Sequence, residues 1–180
     1  MAAIAVFCGS STVVAKTFLD LAYEVGSEVA RRGHTLVSGG GRVGMMGAVA
    51  GGARAAGGRT VGVIPEVLYG REVADTDSAE LIVTADMADR KNRMVERSDA
   101  FVALPGGIGT MDELFEVWTT AHLGLHDKPM VLLSPDDFYA GLLSYVDSLV
   151  EHRFLGAGAR AKLHVVQTAA AALDVVEAAL

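Results

Sequence analysis

The sequence predicts an α/β fold in which a parallel sheet is covered by helices on both faces. Two patterns carry this expectation. Short apolar runs alternate with longer, helically spaced stretches from end to end, and glycine-rich turns follow directly after several of the runs. The first run, at 4–7, is apolar but short and lacks a basic leader, so it reads as a strand and not as a secretion signal. Helical spacing follows over 14–32, then a strand at 35–37, a helix at 45–56 and a strand at 60–64. Strands at 81–83, 100–104 and 130–133 alternate with helices at 87–97, 110–123 and 135–151. A strand at 164–166 and a helix at 169–179 end the pattern. Val, Ile and Leu fill several of these strands without polar alternation, as strands buried on both faces should. The longest irregular stretch, 65–80, reads as a loop covering a site, and 156–158 as a looser break.

With 180 residues and no Pro/Ser-rich linker, the chain 1–180 reads as a single domain. The net charge of −7, with no basic run longer than Arg31-Arg32 or Arg90-Lys91, argues against nucleic acid as a partner. No apolar run approaches the ~18 residues of a membrane span. Cys8 is the only cysteine, which excludes an intrachain disulfide and a cysteine-rich zinc site and fits a cytoplasmic location. The five histidines have no metal-site spacing, so no metal is expected.

In such sheets ligands bind beyond the carboxyl ends of the strands. The turn Cys8-Gly-Ser10-Ser11 lies there, as does the glycine loop holding Gly40, Gly41, Gly44 and Met45. A second glycine loop contains Pro105, Gly106, Gly107, Ile108, Gly109 and Thr110. Glycine lets main-chain N–H groups approach an anion, and a following helix adds its positive dipole end. Either loop alone could be a tight turn, but two in one small sheet point to a phosphate cradle. Gly39-x-Gly41-x-x-Gly44, with Glu66 at the end of the next strand, also matches a dinucleotide fingerprint, although it follows the second strand and not the first. Thr110 and Glu113 have capping-box spacing, which makes a helix cap the plain account of Glu113. Asp112 and Glu113 would nevertheless both crowd a phosphate, so at least one should face elsewhere. Arg90-Lys91 sits near a helix start, where cations oppose the dipole, and a local rule broken this way often marks a site.

Taken together, these residues resemble the Lonely Guy family of cytokinin-activating phosphoribohydrolases. Its hallmark Pro-Gly-Gly-x-Gly-Thr-x-x-Glu is matched in full from Pro105 to Glu113. Further matched blocks are Cys8-Gly-Ser-Ser11, Ser38-Gly-Gly-Gly41, Val61-Gly-Val-Ile-Pro65, Asp86-Met-x-x-Arg-Lys91, Ser98 to Pro105 and Leu123 to Pro129. The resemblance implies a Rossmann-like three-layer fold, a homodimer with sites near the subunit interface, and no cofactor. It implies cleavage of the N-glycosidic bond of a nucleoside 5′-monophosphate, an N6-modified AMP in particular. Arg90 and Glu113 would be the catalytic pair. Substrate contacts would fall on Glu72, Lys91, the Gly106–Asp112 loop including Met111, and Thr119. Ala88 and Ile108 stand where the family often has His and Tyr, which leaves the preferred base open. The family also carries the label lysine decarboxylase, a chemistry needing a Schiff-base lysine that four scattered lysines do not suggest. A nucleotide carrier without catalysis and an NAD-dependent oxidoreductase are the rival readings.

Overall fold

The computed structural model describes residues 1–69 and 74–180. All seven expected strands are present: β1 (Ala3–Phe7), β2 (Thr35–Ser38), β3 (Thr60–Pro65), β4 (Glu80–Thr84), β5 (Ala100–Ala103), β6 (Met130–Leu133) and β7 (Leu163–Val166). They form one wholly parallel sheet in the order β4-β3-β2-β1-β5-β6-β7. The chain winds outward from β1 in one direction and, from β5, in the other. The sheet therefore changes direction between β1 and β5, the point at which a crevice opens above such sheets.

Helices α1 (Lys16–Arg31), α2 (Gly44–Ala55) and α8 (Ala169–Ala179) cover one face. The other carries α4 (Met87–Glu96), α5 (Ile108–His122) and α6 (Ala140–Glu151). Side chains alternate across β1. Ile4 and Val6 pack with Val25, Val49 and Leu173, while Ala5 and Phe7 pack with Met94, Leu114 and Trp118. Both faces are thus apolar core, which explains why these strands lack a polar alternate.

Apart from shifts of one or two residues at other ends, α1 among them, the boundaries differ from expectation in four places. A single helical turn, α3 (Glu66–Leu68), opens the segment expected to be irregular. Helix α5 begins at Ile108, two residues early, because Gly107 already has an extended N-cap conformation. Helix α6 begins only at Ala140. Pro135–Asp137 form a 3₁₀ turn, and Asp136 (φ 48°) and Asp137 (φ 56°) are left-handed, which ends one turn before the next helix starts. Finally, α7 (Ala157–Ala161) occupies the expected break. Five residues are too few to display a period, and the turn is anchored where Trp118 Nε1 donates to the Ala159 carbonyl at 2.8 Å.

Helices α1 and α2 cross backbone to backbone. A Cβ on Gly26 would stand 1.9 Å from the Val49 carbonyl oxygen, and one on Gly52 would stand 2.0 Å from that of Tyr23. Ser27 Oγ, donating to the Gly52 carbonyl at 3.2 Å, fixes the crossing. Because a main-chain carbonyl has nowhere to go, Gly26→Val is expected to cost at least ~1–3 kcal/mol. A melting temperature equal to that of the parent chain would refute this packing account.

Candidate active site

Three turns meet above the switch between β1 and β5. Gly9 N–H donates to the Pro105 carbonyl at 3.4 Å, and Met45 N–H donates to the Gly9 carbonyl at 3.1 Å, so the turn after β1 is tied to both glycine loops. Gly44 (φ 58°) must be glycine. Its conformation is left-handed, and a Cβ would lie 2.6 Å from the Ser11 carbonyl oxygen. Together the turns surround a cavity of about 680 Å³, within the usual size for a small-molecule site.

Two helices begin at this cavity, α2 after Val43 and α5 after Gly107, and neither has a side-chain cap. The first-turn N–H groups of an uncapped helix have no intrahelical acceptor. Two positive dipole ends therefore converge on one space, each favouring an anion by ~0.3–1 kcal/mol.

The floor is ionic. Arg90, from α4, and Glu113, from α5, are 6% and 8% exposed. Arg90 Nη1 donates to Glu113 Oε1 at 2.8 Å, and its Nε donates to the Val63 carbonyl at 3.1 Å. Glu113 is no capping residue. Thr110 is the third residue of α5 and not its N-cap, so the carboxylate is free to reach Arg90. Burial holds the Glu113 carboxyl above the ordinary glutamate range, and the Arg90 charge opposes that shift only in part. The neighbouring Cys8 thiol is pushed up by burial and by the Glu113 charge, which makes it a poor nucleophile.

The question of two carboxylates beside a phosphate has a simple answer in this geometry. Asp112 turns outward to Lys91 Nζ at 2.9 Å, while Glu113 turns inward. Lys91 also pairs with Glu116, and these two acids raise its pKa.

Ser10, Gly41, Met45 and the stretch from Pro105 to Thr110 line the cavity with Arg90 and Glu113. Gly40 lies beneath it, its carbonyl accepting from Asp75 N–H at 2.8 Å. Lys91, Met111 and Asp112 are beside the cavity and not in its wall, and Thr119 is exposed further along α5. Glu72 lies outside the described residues. Met46, Phe18 and Phe138, which sequence reasoning missed, also line the cavity, as does Gly39, which it placed only in a fingerprint and a matched block. Gly39 was legible as part of the glycine run, whereas Phe18 and Phe138 carried no signal beyond an apolar position.

The lysines are engaged elsewhere. Lys16 and Lys162 form surface ion pairs, Lys128 Nζ donates to the Val95 carbonyl at 2.7 Å, and Lys91 is held between acids. Glu66, the acid of the dinucleotide reading, is exposed at the start of α3 and absent from the cavity wall.

Comparison with known proteins identifies the family. A family model described as "Possible lysine decarboxylase" matches residues 46–176. The cytokinin riboside 5′-monophosphate phosphoribohydrolase of Mycobacterium tuberculosis is 51% identical over 94% of this chain and 90% of its own. The Arabidopsis thaliana enzyme of that name, LOG1, is 43% identical over 97% of this chain and 80% of its own. Among solved structures, the molybdenum cofactor carrier protein of Chlamydomonas reinhardtii superposes with a TM-score of 0.75 at 28% identity, covering 98% of this chain and 96% of that one. From its matched motif, its fold and these relatives, the chain belongs to the Lonely Guy family of cytokinin riboside 5′-monophosphate phosphoribohydrolases.

Proposed function

We propose that this chain hydrolyses the N-glycosidic bond of nucleoside 5′-monophosphates, N6-modified AMP foremost, to free base and ribose 5-phosphate. The observation that carries the reading is the buried Arg90–Glu113 pair on the floor of a cavity into which two uncapped helices open. The family relatives bear the same activity in their names.

The 5′-phosphate rests on the N–H groups of the two glycine loops, which brings C1′ toward Glu113. The bond from C1′ to the base nitrogen lengthens first and leaves an oxocarbenium-like sugar, as in glycoside hydrolysis generally. Glu113, as carboxylate, stabilises that cation and accepts a proton as a water oxygen bonds to C1′. The departing nitrogen keeps the bond's electron pair and takes up a proton from solvent, and Glu113 afterwards releases the water's proton to solvent, so the step balances. Arg90 holds the carboxylate in place. A carboxyl raised by burial is a better base near neutrality than an ordinary glutamate.

The lysine decarboxylase label fits this site poorly. A Schiff-base lysine needs a depressed pKa, and Lys91 beside the cavity has a raised one. We place the protein in the cytoplasm as a homodimer. Exposed Met87 on α4 and Phe115 on α5, and Leu123 and Leu125 past the far end of α5, are apolar surface that a second copy can cover.

The test is chromatographic, with AMP, isopentenyladenosine monophosphate and adenosine as substrates. Base release from the monophosphates, with adenosine slower by about 5- to 30-fold, is the expected result, since loss of a phosphate held by two helix ends removes on the order of 1–2 kcal/mol. Equal rates with adenosine would refute the cradle. The likeness to a cofactor carrier supports a second reading, binding without cleavage. It predicts that AMP raises the melting temperature while no base appears.

A further inference from the structure

Gly39 opens the glycine loop after β2, yet its backbone does not require glycine. Gly40 (φ 72°) and Gly44 (φ 58°) are left-handed, whereas Gly39 is not. What requires glycine at this position is Arg90. A Cβ built on Gly39 would stand 2.0 Å from Arg90 Nη2, 3.2 Å from its Cζ and 2.8 Å from Met46 Sδ. The other edges of the guanidinium are already occupied, Nε by the Val63 carbonyl and Nη1 by Glu113 Oε1. Four elements thus fix one group: α4 supplies it, β3 and α5 bond it, and the bare Cα of Gly39 admits its last nitrogen.

We propose that Gly39 is a positioning residue whose missing side chain forms the slot that holds Arg90 against Glu113. Its effect on turnover rests on the hydrolase reading above, whereas the slot itself does not. The competing account makes Gly39 part of the phosphate cradle, like the glycines after it. The two accounts separate because a slot acts through Arg90 and a cradle acts on the ligand.

The charged and titratable groups facing Glu113 are Arg90 and Lys91 from α4, Asp112 on its own helix and Cys8 beyond β1. Only Arg90 touches Gly39. A methyl group at position 39 therefore moves one of these groups and leaves the others in place. The atoms that must yield are ends of flexible side chains, Arg90 and Met46, so the fold should hold.

The experiment uses the full chain as wild type, Gly39→Ala, Arg90→Lys and the double variant. Base release from AMP is measured alongside a ¹³C NMR titration of the Glu113 carboxyl, assigned with Glu113→Gln. Gly39→Ala is expected to lower kcat by roughly 100-fold, the scale of a 1 Å misplacement, with KM little changed. In that variant Glu113 should titrate at higher pH than in the wild type, having lost its nearest cation. In the Arg90→Lys background, which has no Nη2 to displace, Gly39→Ala should be nearly silent. Equal losses in both backgrounds, a loss confined to KM, an unmoved Glu113 titration or a chain that no longer folds would each overturn the proposal. If the wild type itself releases no base, the hydrolase reading fails and the NMR titration alone decides the slot.

Discussion

Glu113→Gln is expected to lose about 10²–10⁴ in the rate of base release while AMP still raises the melting temperature as it does for the parent. Glutamine keeps the shape and an acceptor for Arg90 Nη1 but cannot take a proton or carry the charge that steadies the sugar cation. Stopped-time chromatography with a thermal shift in parallel checks both halves, and full activity in the variant would return Glu113 to a structural role. The parent enzyme should also lose activity in acid. Its working form is the carboxylate, and its folded pKa lies above the ordinary 4.5, so the acid limb of the kcat profile should fall above that value. Stability follows the same shift. The folded chain holds the Glu113 proton more tightly than the unfolded one, so this group's contribution declines as pH rises from the unfolded to the folded pKa.

The second large effect is expected at Gly44. Alanine there must adopt φ 58°, and its methyl group meets the main chain of Ser10 and Ser11 at 2.6–2.8 Å. The conformational cost alone is about 1–2 kcal/mol. The displaced turn also separates the two glycine loops and opens the start of α2. Losing one helix end from the cradle is worth up to ~2 kcal/mol, so KM for AMP should rise up to roughly thirtyfold with a smaller change in kcat. Steady-state kinetics with a melting curve separates the two losses. Unchanged KM would mean that α2 does not face the phosphate.

Much of this molecule was legible before the structure. The seven strands stood out because apolar runs buried on both faces interrupt helical periodicity, whereas their order in the sheet emerges only from the structure, since crossover handedness alone permits several orders. Arg90 and Lys91 drew notice by standing where cations oppose a helix dipole, and burial of Arg90 supplies the reason. Glu113 was ambiguous, because capping and catalysis call for the same spacing. Only the earlier start of α5 separates them, and that start depends on the backbone of Gly107, which no side-chain pattern records. Phe18 and Phe138 meet edge to face with ring centres 5.5 Å apart and are 120 residues distant in sequence, so neither could be assigned to the site by local pattern. Thr119, placed by resemblance alone, stays on the outer surface of the single chain.

The charges around the cavity have one more consequence. Arg90 is matched by Glu113, and Lys91 by Asp112 and Glu116. Among the described residues of the cavity wall, what remains to hold a dianion is a set of fixed peptide dipoles, which gain and lose no protons. Grip and speed therefore answer to different chemistry. Acidifying the medium protonates the carboxylate, whereas the loops keep their dipoles and the phosphate, a monoanion below about pH 6, stays charged. An enzyme built this way idles with its substrate aboard and resumes when the medium recovers.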